Sequence, residues 1–145
     1  MIKTIHSYWA IIALVVLIAA VINALHGIIS KKEFLEKDLR ISLFAVIATH
    51  IQLILGFVAY YFSSFYETMR AIGMGQVMKN SELRKLLVEH PVTVIIAITL
   101  ITMGFSKHKN KQSSTAKFKT IAIYYSIALL LILLVIPWKL WFTAN

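Results

Sequence analysis

Five histidines carry most of the chemistry that this chain could perform. They are His6, His26, His50, His90 and His108, and the chain contains no cysteine. A neutral imidazole can hold a transition metal, or the iron of a haem, through one ring nitrogen. The lack of cysteine excludes disulfides, thiolate zinc sites, iron–sulfur clusters and covalently attached haem. Any metal or cofactor must therefore be held by histidine, methionine or oxygen ligands.

The histidines lie in or beside four apolar blocks that contain no Asp, Glu, Lys or Arg. The blocks cover residues 8–29, 41–66, 90–106 and 120–138. Hydrophobic residues make up 59% of the 145 residues and charged residues only 14%, whereas about a quarter of a soluble domain is charged. Blocks of about 20 apolar residues can cross a bilayer as helices.

These blocks predict an all-α, integral membrane four-helix bundle with an up-and-down topology. We expect a single transmembrane domain over residues 1–145, with spans at about 7–29, 41–63, 90–106 and 119–141. Because the blocks contain no acidic residue, we expect no acid within a span and no buried acid–base pair. This disfavours a transporter that is coupled through a buried carboxylate.

The distribution of basic residues predicts the orientation of the bundle. Nine of the fifteen Lys and Arg residues lie in residues 30–40 and 107–119, which connect the first two and the last two spans. Loops rich in Lys and Arg stay on the cytoplasmic side, so both termini and the loop 63–89 are expected outside. The tryptophans Trp9, Trp138 and Trp141 fall at the same outer boundary and indicate an interfacial belt.

Two of the connections have local structure of their own in this interpretation. In the outer loop, residues 81–88 predict a short amphipathic helix, while Gly73 and Gly75 predict irregular chain before it. Pro91 can begin the third span or kink a helix that runs through from Ser81. On the inner side, the capping-box spacing of Ser30–Glu33 predicts a short amphipathic helical turn.

Small residues mark the faces on which the helices should pack. In the first span they recur every seven residues from His6 to Gly27, and in the second span they alternate by four and three residues from Ala45 to Ser63. Such faces allow helices to approach closely in lipid. His50 lies nearly opposite the small face of the second span, near mid-membrane, so both faces of this helix should meet another helix, a subunit or a cofactor.

His6 and His90 are expected at similar depth near the outer face, each on the small-residue side of its helix. They could approach each other and hold a haem between the helices, with Arg70, Arg84 or Lys85 pairing with the propionates. His50 should lie about 15 Å deeper. It could form a hydrogen-bonding cluster with Thr49 and Gln52, or line a quinone site.

For each of His6, His50 and His90, an interhelical hydrogen bond is the alternative to a ligand role. His26 and His108 are interpreted as interfacial side chains near the inner ends of their spans.

Three short stretches resemble the signatures of small four-span bacterial membrane proteins that are catalogued as cytochrome b-like. They are His6–Ala10, Thr49–Gly56 and Glu89–Pro91, and the resemblance runs over most of the chain. It implies a non-covalently held haem b in a bacterial inner (cytoplasmic) membrane, with His6, His50 and His90 as the matching histidines and metal ligands. Two stacked haems, each held by two histidines, would need two helices that each carry a pair of histidines. The sequence does not show such pairs.

The sequence thus favours a haem b protein that transfers single electrons in or beside a respiratory chain, rather than a stand-alone enzyme. Expected partners are the lipid bilayer, another membrane subunit or redox partner, and a quinone. One alternative is a cofactor-free accessory subunit that packs through the His50 face, and another is an outer-face metal-handling protein that uses His6, His90, Glu89 and the methionines of the outer loop. Nucleic acid is not expected, because the basic loops lack interleaved aromatic residues.

Overall fold

The all-α fold predicted from the sequence is confirmed. The computed structural model describes residues 1–143, and within them the chain forms helices, turns and short loops without any β-strand. The helices are α1 (Ile2–Ile29), α2 (Glu36–Tyr61), α3 (Ser64–Ile72), α4 (Met74–Lys79), α5 (Ser81–Arg84), α6 (His90–His108), α7 (Ser114–Val135) and α8 (Trp138–Thr143), with a π-helical turn at Lys85–Glu89.

Four helices are long and apolar enough to cross a membrane. They are Ile2–Ile29, Glu36–Tyr61, Ser81–His108 and Ser114–Val135, where the third consists of α5, the π-helical turn and α6 in one continuous run. Each of them packs against its two neighbours in the order α1, α2, α6, α7 and back to α1. Together they form a four-helix bundle in which helices that follow one another in the chain lie side by side.

Side-chain contacts show that α1 and α2 run antiparallel. Near the start of α1, Trp9 Nε1 donates to the Ala48 carbonyl oxygen at 2.9 Å. Near its end, Asn23 Nδ2 donates to Asp38 Oδ1 at 2.9 Å. The first contact ties the indole N–H of the half-buried Trp9, which the sequence assigns to an interfacial belt, to the backbone of α2.

The predicted small-residue faces are confirmed as the core of the bundle. Ala13, Ala20, Ala45 and Ala97 are all buried. The backbones approach so closely at Gly104 that a Cβ atom there would lie 2.5 Å from the Cβ of Tyr124 in α7. Small residues therefore set the helix spacing, as expected for helices that associate without a hydrophobic driving force.

The two ends of the bundle differ, and we name them by their residues. The basic end consists of the loops 30–35 and 109–113 with the adjoining helix termini. The histidine end holds His6 and His90 together with α3, α4 and α8. All the loops described by the structure lie at one of these two ends.

The basic end is closed by an ordered loop rather than by the amphipathic turn expected there. Asp38 Oδ2 accepts a hydrogen bond from the Leu35 N–H at 2.8 Å, so α2 begins at Glu36 and residues 32–35 stay non-helical. The Phe34 ring packs against His108 and Phe118, with ring centroids 5.3 and 4.9 Å away. The Phe34 ring, rather than an amphipathic helix at the membrane surface, covers this end of the core.

The early start of α2 brings a carboxylate into the bundle. Asp38 is 0% exposed, and its Oδ1 atom lies 3.1 Å from Lys32 Nζ and accepts from Asn23. The expectation that no acid lies within a span, and that there is no buried acid–base pair, is therefore wrong. The acid can be buried because both of its oxygens have donors, which offset the cost of its desolvation.

At the histidine end the structure replaces an expected irregular segment with helices. Residues 64–72 and 74–79 form α3 and α4, which are separated only by Gly73 with a positive φ of 85°. Ser63 begins α3 by accepting from the Tyr66 N–H at 3.1 Å. The amphipathic helix expected at 81–88 exists, but it continues into α6 through the π-helical turn.

The fourth long helix ends at Val135, earlier than the expected span of 119–141. Pro137 lacks the N–H that would bond to the Leu133 carbonyl, and Trp138 Nε1 donates to that oxygen instead, at 3.0 Å. The chain then continues as the short helix α8.

Candidate functional site

At the histidine end of the bundle, α1, α2, α6 and α7 have few buried residues, and the buried side chains there are Val77 of α4 and Leu87 of the π-helical turn. Among the residues that the structure describes, α1 has no buried residue before Ala13 and α2 has none after Thr49. In the same way, none is buried in α6 before Ala97 or in α7 after Ala128. The half-buried zone between this core and the end of the bundle contains two of the predicted site histidines.

His6 is held against α2 by one glutamine. Gln52 Nε2 donates both to His6 Nδ1 at 3.0 Å and to the His6 carbonyl oxygen at 3.1 Å. Gly56 lies under the ring, since a Cβ atom there would be 3.3 Å from His6 Cε1. Because Nδ1 accepts a hydrogen bond, the proton of the neutral imidazole is on Nε2.

His90 is held against α7 by a backbone carbonyl. Its Nδ1 atom lies 2.9 Å from the carbonyl oxygen of Val135, the last residue of α7. Carbonyls in the last turn of a helix lack an intrahelical donor, and this one receives the imidazole N–H. The proton of His90 is therefore on Nδ1, which leaves the lone pair of Nε2 for a ligand.

The backbone at His90 is also unusual. The preceding residues form the π-helical turn, and Pro91 lacks the N–H that would bond to the Leu87 carbonyl in an α-helix. Tyr60 of α2 supplies the missing donor, with its hydroxyl 2.8 Å from the Leu87 oxygen. Single π-helical turns occur frequently at functional sites in helices.

The structure brings His6 and His90 near each other. Their imidazoles are close enough for an electrostatic interaction, although they lie on helices that are not neighbours in the chain. Both histidines are half-buried and lie at the histidine end of the bundle.

His50 lies on a different side of α2, in contact with α6. Its Nδ1 donates to the Val46 carbonyl of its own helix at 2.7 Å, and Thr102 Oγ1 lies 3.4 Å from its Nε2. The expectation that both faces of α2 meet something is confirmed, since α1 and α6 occupy them. The expected cluster with Gln52 is wrong, because that side chain bonds to His6 on the opposite face.

Thr49 does not join such a cluster either. Its hydroxyl donates to the Ala45 carbonyl at 2.7 Å, within its own helix. A threonine that bonds back to its helix leaves no donor for His50. Thr102 also bonds back to its own helix, donating to the Ile98 carbonyl at 2.8 Å, so its 3.4 Å contact with His50 Nε2 supplies no proton. The bond to the Val46 carbonyl therefore holds the His50 ring.

The arginines expected near the site differ in their contacts. Arg84 Nε lies 3.5 Å from Glu89 Oε2, and its Nη1 donates to the Met78 carbonyl at 2.9 Å. Arg70 is exposed in the last turn of α3. Arg84 is thus tied to the residue that precedes His90, whereas Arg70 stays available at the surface.

His26 and His108 at the basic end turn out to differ from each other. His26 is exposed and lies 3.5 Å from the Ser30 hydroxyl, as expected for an interfacial side chain. The interfacial expectation for His108 is wrong, since it is 1% exposed. Its ring packs between Phe34 and Phe105, and its Nδ1 bonds to the Phe105 carbonyl.

No group of three or more His, Cys, Asp or Glu side chains that could hold a metal ion occurs in the part of the chain that the structure describes. Of the loop methionines, Met69 has its Sδ 3.8 Å from the Tyr60 hydroxyl. What the histidine end offers is a pair of imidazoles, which is the number of protein ligands in a bis-histidine haem.

Comparisons with known proteins give no independent assignment. No family model matches the chain, and searches of curated proteins and of solved structures find no match either.

The residues present fit a haem in two respects. His90 already has the proton on Nδ1, and Gln52 Oε1 is a buried atom without a hydrogen-bond partner in the described residues. His6, whose proton is on Nε2, would have to change its tautomer. Ligation through His6 Nε2 needs the proton on Nδ1, with an acceptor beside it. The amide oxygen of Gln52 is the group that can supply that acceptor.

Proposed function

We propose that the chain is a haem b protein of the bacterial inner membrane, which passes single electrons in or beside a respiratory chain. The observation that carries the proposal is that His6 and His90 both lie at the histidine end of the bundle, close enough for their imidazoles to interact electrostatically. The resemblance of the stretches around these two histidines to cytochrome b-like proteins supports the same function.

In this proposal His6 and His90 hold the haem iron, and Gln52 positions the His6 ring. Arg70 and Arg84 are the candidate partners of the propionates, with Arg70 the more accessible of the two. When bound, the haem supplies a one-electron couple whose potential depends on its axial ligands and on burial. The chain contributes the ligands, their orientation and a site shielded from water.

The orientation follows from the charges. The basic end faces the cytoplasm and the histidine end faces outward, with both termini outside, because loops rich in Lys and Arg are retained on the inner side. A haem between His6 and His90 then lies near the outer surface, where an external redox partner can exchange electrons with it.

The test is haem binding by single histidine variants. Purified wild-type protein is titrated with haemin, and the Soret band is compared with that of H6A, H90A and H26A. We expect the first two variants to lose the wild-type spectrum and H26A to keep it, since His26 is exposed at the opposite end. Far-ultraviolet circular dichroism checks that the variants stay helical. Unchanged haem binding in both H6A and H90A would refute the assignment.

A second candidate function is supported by the position of His50. His50 is half-buried beside the exposed Thr102, on a side of α2 and α6 where large apolar residues such as Phe57 and Ile95 are exposed. Polar groups at mid-membrane are costly unless they are covered, so this face suits a partner subunit. In that case the native protein migrates with a larger complex, and H50L releases it; migration of the wild type alone contradicts this function.

A further inference from the structure

A groove runs along the outside of the bundle between α1 and α7. Its volume is about 400 Å³, and it extends over nine residues of α7, from Lys119 to Ile127, or about 12 Å. The lining is almost entirely apolar. It consists of Leu25, Ile28, Lys119, Ala122, Ile123, Ser126 and Ile127.

One lysine stands at the mouth of the groove. Lys119 lies in the second turn of α7, at the basic end, and its side chain is exposed. Among residues 1–143, which the structure describes, no carboxylate lies within ion-pair distance of its amine. The ammonium group is therefore available for an external anion.

The surroundings also carry an excess of positive charge. Residues 30–40 and 107–119 contain nine Lys and Arg residues but only three acids. Two of these acids are already paired, Asp38 with Lys32 and Glu36 with Arg40. An anion that approaches this end of the bundle meets a positive field that the protein does not neutralise internally.

The positions of the lysine and the apolar groove match the headgroup and the acyl chain of a phospholipid. The lysine is at the end of the bundle, and the groove continues from it toward the middle of the helices. An acyl chain lies parallel to spanning helices, with its phosphate at the level of the helix ends. A soluble anion would satisfy the lysine but would leave the apolar groove uncovered.

We propose that this groove is a binding site for an acidic phospholipid, with one acyl chain along α7 and the headgroup phosphate on Lys119. The proposal rests on the membrane location of the chain but not on haem. Basic sites at the cytoplasmic ends of spanning helices are where acidic headgroups are recognised. The lipid would stabilise the α1 and α7 contact, which forms one wall of the bundle.

The experiment is native mass spectrometry of the full chain, delipidated in detergent and mixed with phosphatidylglycerol or phosphatidylcholine at matched concentrations. The variants are K119Q, S126L, which fills the groove, and K111Q as a control in the exposed loop of the basic end. We expect phosphatidylglycerol to bind about five-fold more tightly than phosphatidylcholine, because one lysine contributes about that factor near an anionic surface. K119Q should abolish the preference, S126L should lower binding of both lipids, and K111Q should match the wild type.

Three outcomes would overturn the proposal. They are equal binding of the two lipids by the wild type, an unchanged preference in K119Q, and displacement of phosphatidylglycerol by millimolar inorganic phosphate, which would indicate a simple phosphate site. H90A, in which haem binding is expected to fail, serves to separate the two proposals. It should bind phosphatidylglycerol like the wild type, since His90 lies at the opposite end of the bundle.

Discussion

Replacement of Asp38 by asparagine should destabilise the bundle far more than loss of a neighbouring exposed carboxylate. The substitution D38N keeps the volume of the side chain but removes its charge. Asp38 is fully buried, and its oxygens accept from Lys32, Asn23 and the Leu35 N–H. In the variant, an amide group replaces one oxygen, so that either the backbone N–H or the lysine loses its acceptor.

The magnitude follows from the burial of the pair. Removal of one partner from a buried ion pair costs about 3–5 kcal/mol. Lys32 is 23% exposed, so water can partly solvate its ammonium group, and we expect the lower end, about 3 kcal/mol. For a chain of this size that is a drop in Tm on the order of 6–12 °C.

The matched control lies two residues away in the same helix. Glu36 and Arg40 form an ion pair of 2.9 Å whose side chains are 75% and 65% exposed, and such a pair contributes less than about 0.5 kcal/mol. We therefore expect E36Q to unfold within about 1 °C of the wild type.

The assay is thermal unfolding of the purified proteins in one detergent, followed by the loss of far-ultraviolet circular dichroism. A double-mutant cycle with K32M isolates the pair and should give a coupling energy above about 1 kcal/mol. Equal stability of D38N and E36Q would refute the interpretation that the carboxylate is a structural anchor of the basic end.

Two further substitutions test the packing at the other sites. Y60F removes the donor to the Leu87 carbonyl and should lower the free energy of unfolding by about 1–2 kcal/mol, because an acceptor in the bundle is left unpaired. Y61F, at an exposed tyrosine, should cause no measurable loss of stability. Equal losses in the two variants would contradict the role of the Tyr60 hydroxyl. G104A introduces a Cβ atom 2.5 Å from a side chain of α7 and should cost about 1–3 kcal/mol by overpacking, whereas G75A has open space and should be neutral or slightly stabilising. Thermal unfolding measures both pairs, and a G104A variant as stable as G75A would show that the helices do not approach so closely.

Helical periodicity was enough to predict much of the bundle. The four apolar blocks predicted the long helices, and the spacing of small residues predicted the faces that pack, as at Ala20 and Ala97. The same periodicity separated His50 from the small face of α2 and placed His6 and His90 at one end. These features depend on residues within one helix, and a pattern along one helix is visible in the sequence.

The features that the sequence did not predict depend on contacts between distant segments. Asp38 is buried because a loop folds over it, and His108 is buried because Phe34, more than seventy residues away, packs on its ring. Gln52 was associated with His50 through its nearness in sequence, but its partner is His6 on another helix. The sequence next to an apolar block does not indicate which distant group will pair with a polar or charged side chain there.

The most direct test of the account is the visible spectrum of the protein purified from haem-replete cells, first oxidised and then reduced with dithionite. The account predicts a Soret band, reducible α and β bands and about one haem per chain, all of which disappear in H90A. A colourless protein that stays colourless after the addition of haemin would contradict the electron-transfer function and would leave the His50 face as the place to look for a partner subunit.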